Sequence, residues 1–288
     1  MTTKPDPQSA LSANMRGILW MALTAFLLTV TAALMKGAGQ ALPLAEIVCI
    51  RMTIGALSAL PWMLRGGLAG LGTHRLGGHF VRAVLGISAF TLYTYAITNM
   101  LLANAMALAF TTPLWMIIVS RIVRGENAGW PRAIATIVGF AGVLVIARPD
   151  VEISLPALAA LTSAFLLSLA MLHVKHLSST ESPEKLAFYV QLFGAVFTAP
   201  VMLMDWQTPT GSDWTILLAA GVIGTFGLFG QAKAYSTGNP TAVAPVDFTR
   251  LPIAVLLGVL FFGELPDAVA FGGMAIVIGA LLFISRRA

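Results

Sequence analysis

Four short landmarks occur twice along the 288-residue chain, and this repetition restricts how the chain can fold. The first, Thr-Ala-Phe-Leu-Leu at residues 24–28, returns as Ser-Ala-Phe-Leu-Leu at residues 163–167. The other pairs are Lys36 with Lys175, Pro113 with Pro252, and Gly125-Glu126 with Gly263-Glu264. The first three pairs are 139 residues apart and the last is 138 apart, so we predict two copies of one structural unit.

Composition places both copies in a membrane. Hydrophobic residues make up 58% of the chain and charged residues 10%, and the mean hydropathy is +0.86, whereas about a quarter of the residues of a soluble domain are charged. Ten apolar stretches approach the length of about 20 residues that a helix needs to cross a bilayer. They cover residues 17–36, 44–64, 80–98, 101–123, 130–147, 155–176, 183–204, 214–235, 241–262 and 268–285. We therefore predict an all-α integral membrane protein with ten transmembrane helices.

Each half contains an odd number of spans, so the second half must enter the membrane in the opposite orientation. The predicted organisation is a disordered cytoplasmic N-terminus at 1–15 and two inverted-topology repeats of five helices, at 16–149 and 150–288. Twelve of the 17 Lys and Arg residues fall on the side of the N-terminus, against Lys36 and Arg148 on the other side. The positive-inside rule then places both termini in the cytoplasm of a bacterial-type inner (plasma) membrane.

Sequence features of an enzyme are sparse. The single cysteine, Cys49, excludes a disulfide framework, and the four histidines lack cysteine or carboxylate partners at metal-ligand spacing. The chain has no Gly-Lys-Ser/Thr phosphate loop, and its basic residues are scattered singly. We therefore expect no catalytic residue, metal, cofactor or nucleic-acid partner. A membrane-embedded enzyme or a non-transporting receptor stays open as the alternative class.

The order of these features resembles the EamA group of the drug/metabolite transporter (DMT) superfamily. The features are ten spans in two halves, Arg51 early in span two, a proline in spans four and nine, and a Gly-Glu pair closing each of those spans. Length and organisation are similar to the aromatic amino-acid exporters of the YddG type. The resemblance implies export of neutral or aromatic amino acids by alternating access about a central cavity, lined by spans one, three, four, six, eight and nine. Import or export of another small metabolite or drug is the alternative within transporters.

Charged residues inside spans are the first candidates for a substrate site, because a charge in the bilayer core is costly and needs compensation. Asp247 and Arg250 are three residues apart on one predicted helix and therefore share a face. They could neutralise each other as a structural ion pair, or offer complementary charges to the ammonium and carboxylate of a zwitterion. The equivalent stretch of the first half, residues 110–113, has only hydroxyl groups there.

Aromatic and amide side chains form a second set of substrate-binding candidates, because aromatic rings can stack on a planar substrate or cover an ammonium group. The set comprises Tyr95, Asn104, Trp115, Tyr189, Gln231 and Tyr235, with Tyr93 and Gln191 beside them. Interfacial aromatic residues are the alternative interpretation, and it fits the tryptophans at span ends better than these deeper positions.

A third set has expected structural or gating roles: Arg51, Pro113, Pro252, Lys36 and Lys175. The two prolines predict a shared kink or hinge in spans four and nine. The two lysines are gates or helix C-terminal caps, of which we favour caps, and Glu126 and Glu264 are expected to mark turns or cap the following helix. Arg51 is placed to bond neighbouring carbonyl groups. The expected partners are a small-molecule substrate and membrane lipid, with the chain itself a monomer.

Overall fold

The computed structural model describes residues 7–64, 72–125, 130–147, 154–177, 180–238 and 243–286. All regular structure in these ranges is helical. The helices are α1 (Pro7–Ala38), α2 (Leu44–Met63), α3 (Leu76–Asn99), α4 (Leu102–Ala109), α5 (Thr112–Arg124), α6 (Trp130–Ala147), α7 (Leu155–Leu177), α8 (Pro183–Met204), α9 (Gly211–Thr237), a 3₁₀ helix (Ala244–Thr249), α10 (Arg250–Phe262) and α11 (Ala268–Arg286). The described residues contain eight spans of membrane length, with α4 and α5 forming span four and the 3₁₀ helix and α10 forming span nine. Two further apolar helices in these ranges, α6 and α11, are shorter. The predicted ten-helix fold class is confirmed.

The N-terminal segment differs from the sequence expectation. Disorder was expected through residue 15, but α1 already begins at Pro7. Proline is favoured in the first turn of a helix, where its missing N–H group is not needed, and the alanine and leucine residues that follow favour the helical conformation. Residues 1–6 lie outside the described part of the chain.

Helix packing has the symmetry expected of an inverted repeat. The most extensive contacts join α1 with α9, α3 with α7, α2 with α8, and α6 with α11. If the two repeats are exchanged, span one (α1) takes the place of span six (α7), and span eight (α9) takes the place of span three (α3). The α1–α9 contact then becomes the α7–α3 contact. The α2–α8 and α6–α11 contacts each map onto themselves. The two repeats therefore pack about a pseudo-twofold axis, as inverted-repeat membrane proteins do.

Small residues bring α1 and α9 close together. Gly224, Gly227 and Gly230 recur at every third residue of α9, and each faces α1. A Cβ atom on Gly227 would lie 2.6 Å from the side chain of Leu28, and one on Gly230 would lie 2.6 Å from Thr24 Oγ1. The absent side chains allow the close backbone approach that drives helix association in lipid.

Spans four and nine are interrupted at equivalent positions. In span four, α4 ends at Ala109 and α5 begins at Thr112, with Pro113 in its first turn. In span nine, the 3₁₀ helix gives way to α10 at Arg250, two residues before Pro252. Proline lacks an N–H group and its ring crowds the carbonyl four residues earlier, so a regular helix does not continue through either point.

Threonine hydroxyls compensate for these interruptions. Thr111 Oγ1 donates a hydrogen bond to the Leu108 carbonyl at 2.6 Å, and Thr249 Oγ1 donates to the Val246 carbonyl at 2.7 Å. Backbone groups freed from a helix inside a membrane must find such partners, because lipid offers none. The hydroxyls therefore allow both spans to depart from regular α-helical geometry within the bundle.

Both interrupted spans also end in the same way. Gly125 closes α5 and Gly263 closes α10, with φ angles of 67° and 66°. A left-handed residue at the helix C-terminus favours glycine, which has no Cβ atom to clash with the backbone. After Gly263, the Glu264 N–H donates to the Gly258 carbonyl at 2.9 Å. The turn predicted from Gly-Glu is thus present in span nine, whereas Glu126 lies outside the described residues.

Candidate substrate site in the membrane bundle

The charged pair of span nine lies at the junction between the 3₁₀ helix and α10. Arg250 Nε is 2.7 Å from Asp247 Oδ1, and the two side chains are 16% and 18% exposed. The atoms are in contact, but the N–H group is not directed at the oxygen with hydrogen-bond geometry. Arg250 Nη2 is also buried without a hydrogen-bond partner among the described residues. The pair is electrically neutral but retains hydrogen-bonding capacity for a polar ligand.

Aromatic residues from three other spans lie in the neighbourhood of this pair. Tyr93 on α3 lies within electrostatic range of Arg250, and Tyr235 on α9 lies within electrostatic range of both charges. Phe248, next to Asp247, packs edge-on against Phe110 at a centroid distance of 5.6 Å. Phe110 lies at the interruption of span four, so the two broken spans meet beside the charges. Of the substrate-binding candidates, Asp247 and Arg250 are in contact, and Tyr235 lies within electrostatic range of them.

Trp115 on α5 is packed against aromatic side chains of α6 and α7. Its ring lies edge-on to Phe140 at 4.8 Å and to Phe165 at 5.3 Å. Its indole Nε1 is buried and has no hydrogen-bond partner in the described part of the chain. A buried indole N–H usually finds an acceptor, so Trp115 has an unused donor between spans four, five and six.

The remaining polar candidates lie on spans three, four and eight. Asn104 on α4 is partly buried, and its Oδ1 atom has no partner among the described residues. Tyr95 on α3 and Gln231 on α9 are also partly buried. The structure records no contact that joins these three side chains to the Asp247–Arg250 pair in the described ranges, so their substrate role stays a prediction.

Tyr189 belongs to a second polar cluster, near the side of the bundle where α1 begins. Its ring lies 4.5 Å from that of His79, whose Nε2 is 3.9 Å from Glu181 Oε2. Gln191, two residues further along α8, packs tightly against α2, where a Cβ atom on Gly55 would overlap its Oε1 atom. Sequence reasoning missed the His79–Glu181 cluster, because its members come from a helix start and from a loop between other spans.

Lys36 and Glu264 form a buried link on the opposite side of the bundle, where α1 ends. Lys36 Nζ is 2.7 Å from Glu264 Oε1 and donates to the carbonyls of Ile97 and Met100 at 2.9 and 2.6 Å. Glu264 Oε2 accepts from the backbone N–H of Leu102 at 2.9 Å. The cation therefore caps the C-terminal end of α3 and the carboxylate caps the start of α4, where helix dipoles favour those charges.

This link corrects the capping predictions for Lys36 and Glu264 in one respect. Lys36 was expected to cap its own helix and Glu264 the following helix, but each caps a helix that is distant in sequence. The repeated lysine and Gly-Glu landmarks were the available signal, but they do not reveal that Lys36 and Glu264 meet. Lys175, the counterpart of Lys36, lies in α7, and its side chain is outside the described part of the structure. Pro113 and Pro252 are both exposed on the outside of their helices, and their hinge role stays a prediction.

Arg51 has a different environment from the one expected. Bonds to neighbouring carbonyls were predicted, but the described contacts of its guanidinium are the ring of Phe90, 4.6 Å from Cζ, and Met52 Sδ, 3.7 Å from Nη1. The physical reason is that Arg51 lies inside α2 (Leu44–Met63), where the backbone carbonyls are already engaged in helical hydrogen bonds, whereas free carbonyls occur only at a helix C-terminal end. The side chain instead extends across to α3.

The fold and this site together define the class of the protein. Two inverted five-helix repeats, with a polar pair buried where two broken spans meet, are the architecture of a secondary membrane transporter. The EamA-like transporter family matches the chain twice, over residues 15–148 and 154–286. The chain therefore belongs to the EamA-like transporter family.

Curated relatives agree with this class. The chain is 30% identical to an S-adenosylmethionine uptake transporter of Rickettsia prowazekii, over 96% of this chain and 94% of the relative. It is 31% identical to a riboflavin transporter of Vibrio cholerae, with coverages of 94% and 93%, and 32% identical to the pseudopaline exporter CntI of Pseudomonas aeruginosa, with coverages of 94% and 96%. The chain is thus a transporter and not an enzyme. The relatives carry different compounds, so they do not confirm the narrower similarity to amino-acid exporters of the YddG type.

The fold also matches a solved structure. A crystal structure aligns with a TM-score of 0.65 over 96% of this chain and 98% of that one, at 21% sequence identity. At this identity the match supports the shared fold alone.

Proposed function

We propose that this protein carries a small zwitterionic metabolite across the membrane by alternating access between its two repeats. Neutral and aromatic amino acids are the first candidates, followed by S-adenosylmethionine, which also contains an α-amino acid group. The observation that carries the proposal is the Asp247–Arg250 pair, buried at the interruption of span nine. Span four has the same interruption without the charges, so the charges are not needed to break the helix.

The chemistry of the pair suits a zwitterion. The Asp247 carboxylate can accept hydrogen bonds from an ammonium group, and the Arg250 guanidinium can donate to a carboxylate. Tyr93 and Tyr235 supply hydroxyl groups, and their rings offer faces for an ammonium or a planar side chain. The two interrupted spans supply the hinges of the proposed rocking motion, since they are where regular helix geometry is already lost.

The Lys36–Glu264 link is the proposed gate on the opposite side of the bundle. It ties α1 to the α3–α4 turn and to the end of span nine through buried contacts. An opening between the repeats on this side must separate at least one of these contacts. The Lys36–Glu264 link therefore corresponds to a state in which the bundle is closed on the side where α1 ends.

The distribution of Lys and Arg supports an orientation with both termini in the cytoplasm of an inner membrane. The Lys36 side then faces outward. Export, which the resemblance to amino-acid exporters implies, is the proposed direction of the cargo. In a uniporter the direction follows the substrate gradient, whereas proton coupling would impose one. Measurements with and without a pH gradient separate these two mechanisms.

The experiment is uptake into liposomes that contain the purified protein, with labelled tryptophan, methionine, S-adenosylmethionine and riboflavin. We expect uptake of at least one α-amino acid compound. Asp247→Asn and Arg250→Gln should each lower its initial rate about tenfold or more, because each removes one charge-assisted contact. Asp205→Asn, which changes an exposed carboxyl group at the end of α8, is the matched control and should retain the rate.

Two results would contradict the proposal. Transport of riboflavin without any of the α-amino acid compounds would refute the zwitterionic substrate. Transport of an α-amino acid compound at wild-type rates by both site variants would assign Asp247 and Arg250 to structure.

A further inference from the structure

Arg51 differs from Lys36 and Arg250 in having no ion-pair partner among the described residues. Lys36 is paired with Glu264 and Arg250 with Asp247. Arg51 is only 5% exposed, yet no acidic side chain lies within ion-pair distance of it among the described residues. Its Nε atom is buried without a hydrogen-bond partner in the same ranges. Within the described part of the chain, the positive charge of Arg51 is therefore uncompensated.

Four helices meet around this guanidinium. Arg51 Cζ lies 4.6 Å from the centre of the Phe90 ring on α3, and Nη1 lies 3.7 Å from Met52 Sδ on α2. On α9, a Cβ atom at Gly224 would lie 3.0 Å from Nη2 and 3.2 Å from Thr31 Cγ2 of α1. Glycine at this position leaves the space that the guanidinium occupies.

These contacts do not satisfy the chemistry of the group. A guanidinium has five N–H donors in a planar fork, while an aromatic face and a thioether are weak acceptors. The fork matches a carboxylate, which can accept two parallel hydrogen bonds from it. A bound carboxylate would supply both the missing charge and the missing acceptors.

Arg51 and the proposed substrate site are linked through α3. Phe90, under the Arg51 guanidinium, and Tyr93, which lies within electrostatic range of Arg250, are three residues apart and share one face of α3. One face of α3 therefore carries a residue beside each of the two positive groups.

We propose that Arg51 binds the carboxylate of the transported metabolite, while Asp247 binds its ammonium group. This assignment rests on the proposed function and refines it, because the charge of Arg250 is already neutralised by Asp247 and that of Arg51 is not. The substrate class is then a compound with a free carboxylate. An amine without that carboxylate is a poor ligand.

The test compares each acid with its decarboxylated analogue. The probes are tryptophan with tryptamine, methionine with 3-(methylthio)propylamine, and S-adenosylmethionine with its decarboxylated form. Apparent dissociation constants are measured from the ligand-dependent unfolding temperature of the purified protein, and uptake is measured in parallel. Arg51→Gln is compared with wild type and with Arg82→Gln, a control that removes another buried arginine, whose guanidinium donates to the Leu186 carbonyl.

We expect wild type to bind at least one acid about tenfold or more tightly than its amine, as the loss of one charge-assisted contact implies. Arg51→Gln should abolish this preference, Arg51→Lys should restore part of it, and Arg82→Gln should retain it. If Arg51→Gln does not fold, Gly224→Ala provides the second variant, because its Cβ atom displaces the guanidinium without removing the charge. It should weaken binding of the acid more than that of the amine.

The outcomes separate the two proposals. A wild-type preference for the acid that is unchanged in Arg51→Gln and Gly224→Ala would overturn the role of Arg51 and leave the proposed function standing. Equal binding of acid and amine by wild type, or binding and uptake of no member of any pair, would refute the proposed zwitterionic substrate, and the Arg51 site with it.

Discussion

Removal of the Lys36 ammonium is expected to destabilise the bundle strongly. In the Lys36→Met variant, Glu264 loses its counter-charge, and the Ile97 and Met100 carbonyls lose their donor. Breaking a buried ion pair by removing one partner costs about 3–5 kcal/mol. Glu264 is 18% exposed and keeps its bond from the Leu102 N–H, so we expect the lower end of this range, about 3 kcal/mol.

Removal of the Glu264 charge should destabilise the protein less than removal of the Lys36 charge. Glu264→Gln keeps an oxygen that can accept from Leu102 or from Lys36, so the expected loss is about 1–2 kcal/mol. In the double variant neither charge is left unpaired. The double variant should therefore be more stable than the sum of the single effects implies, by about 1 kcal/mol or more.

The assay is reversible unfolding of the purified variants in mixed micelles, analysed as a double-mutant cycle. Lys233→Met is the matched control, because Lys233 is an exposed lysine near the end of α9, and its change should stay within about 0.5 kcal/mol. Additive effects of Lys36→Met and Glu264→Gln within about 0.5 kcal/mol would refute the reasoning, since independent sites behave in that way.

Three further predictions concern local geometry. Gly263→Ala should lower the free energy of unfolding by about 1–2 kcal/mol, because φ is 66° there and alanine is strained in the left-handed region; denaturant titration measures it. Gly55→Ala should shift the position of Gln191, whose Oε1 atom the new Cβ would overlap, and a wild-type unfolding temperature would contradict this close contact. Thr210→Ala removes the side-chain bonds between Thr210 and Asp213 that begin α9, and should cost about 1 kcal/mol in the same titration, whereas Thr215→Ala, one turn later, serves as its control.

Features that depend on local sequence could be predicted. The ten spans follow from apolar length, and the proximity of Asp247 and Arg250 follows from a spacing of three residues on one helical face. The interruption of spans four and nine follows from the prolines, which disturb a helix wherever they occur in its interior.

Features that depend on which helices are neighbours could not be predicted in the same way. Lys36 meets Glu264 only because the end of α1 lies beside the α3–α4 turn and the end of α10. Tyr189 was expected to lie deep in its span, but α8 begins at Pro183 and the packing of α8 directs the Tyr189 ring towards His79, near the start of α3. Arg51 was expected to bond carbonyls of its own surroundings, whereas the packing of α1, α3 and α9 encloses it among apolar groups.

Solute counterflow tests the central claim, that the two repeats form an alternating-access carrier, most directly. Liposomes with the protein are loaded with a high concentration of an unlabelled α-amino acid compound from the uptake panel and diluted into a trace of the labelled compound. A carrier that exchanges one substrate for another accumulates the label transiently above its equilibrium level. We expect this overshoot for wild type and its loss in Asp247→Asn. A monotonic approach to equilibrium would indicate a channel, and absence of uptake would indicate a protein that binds without transporting; either result would contradict the account.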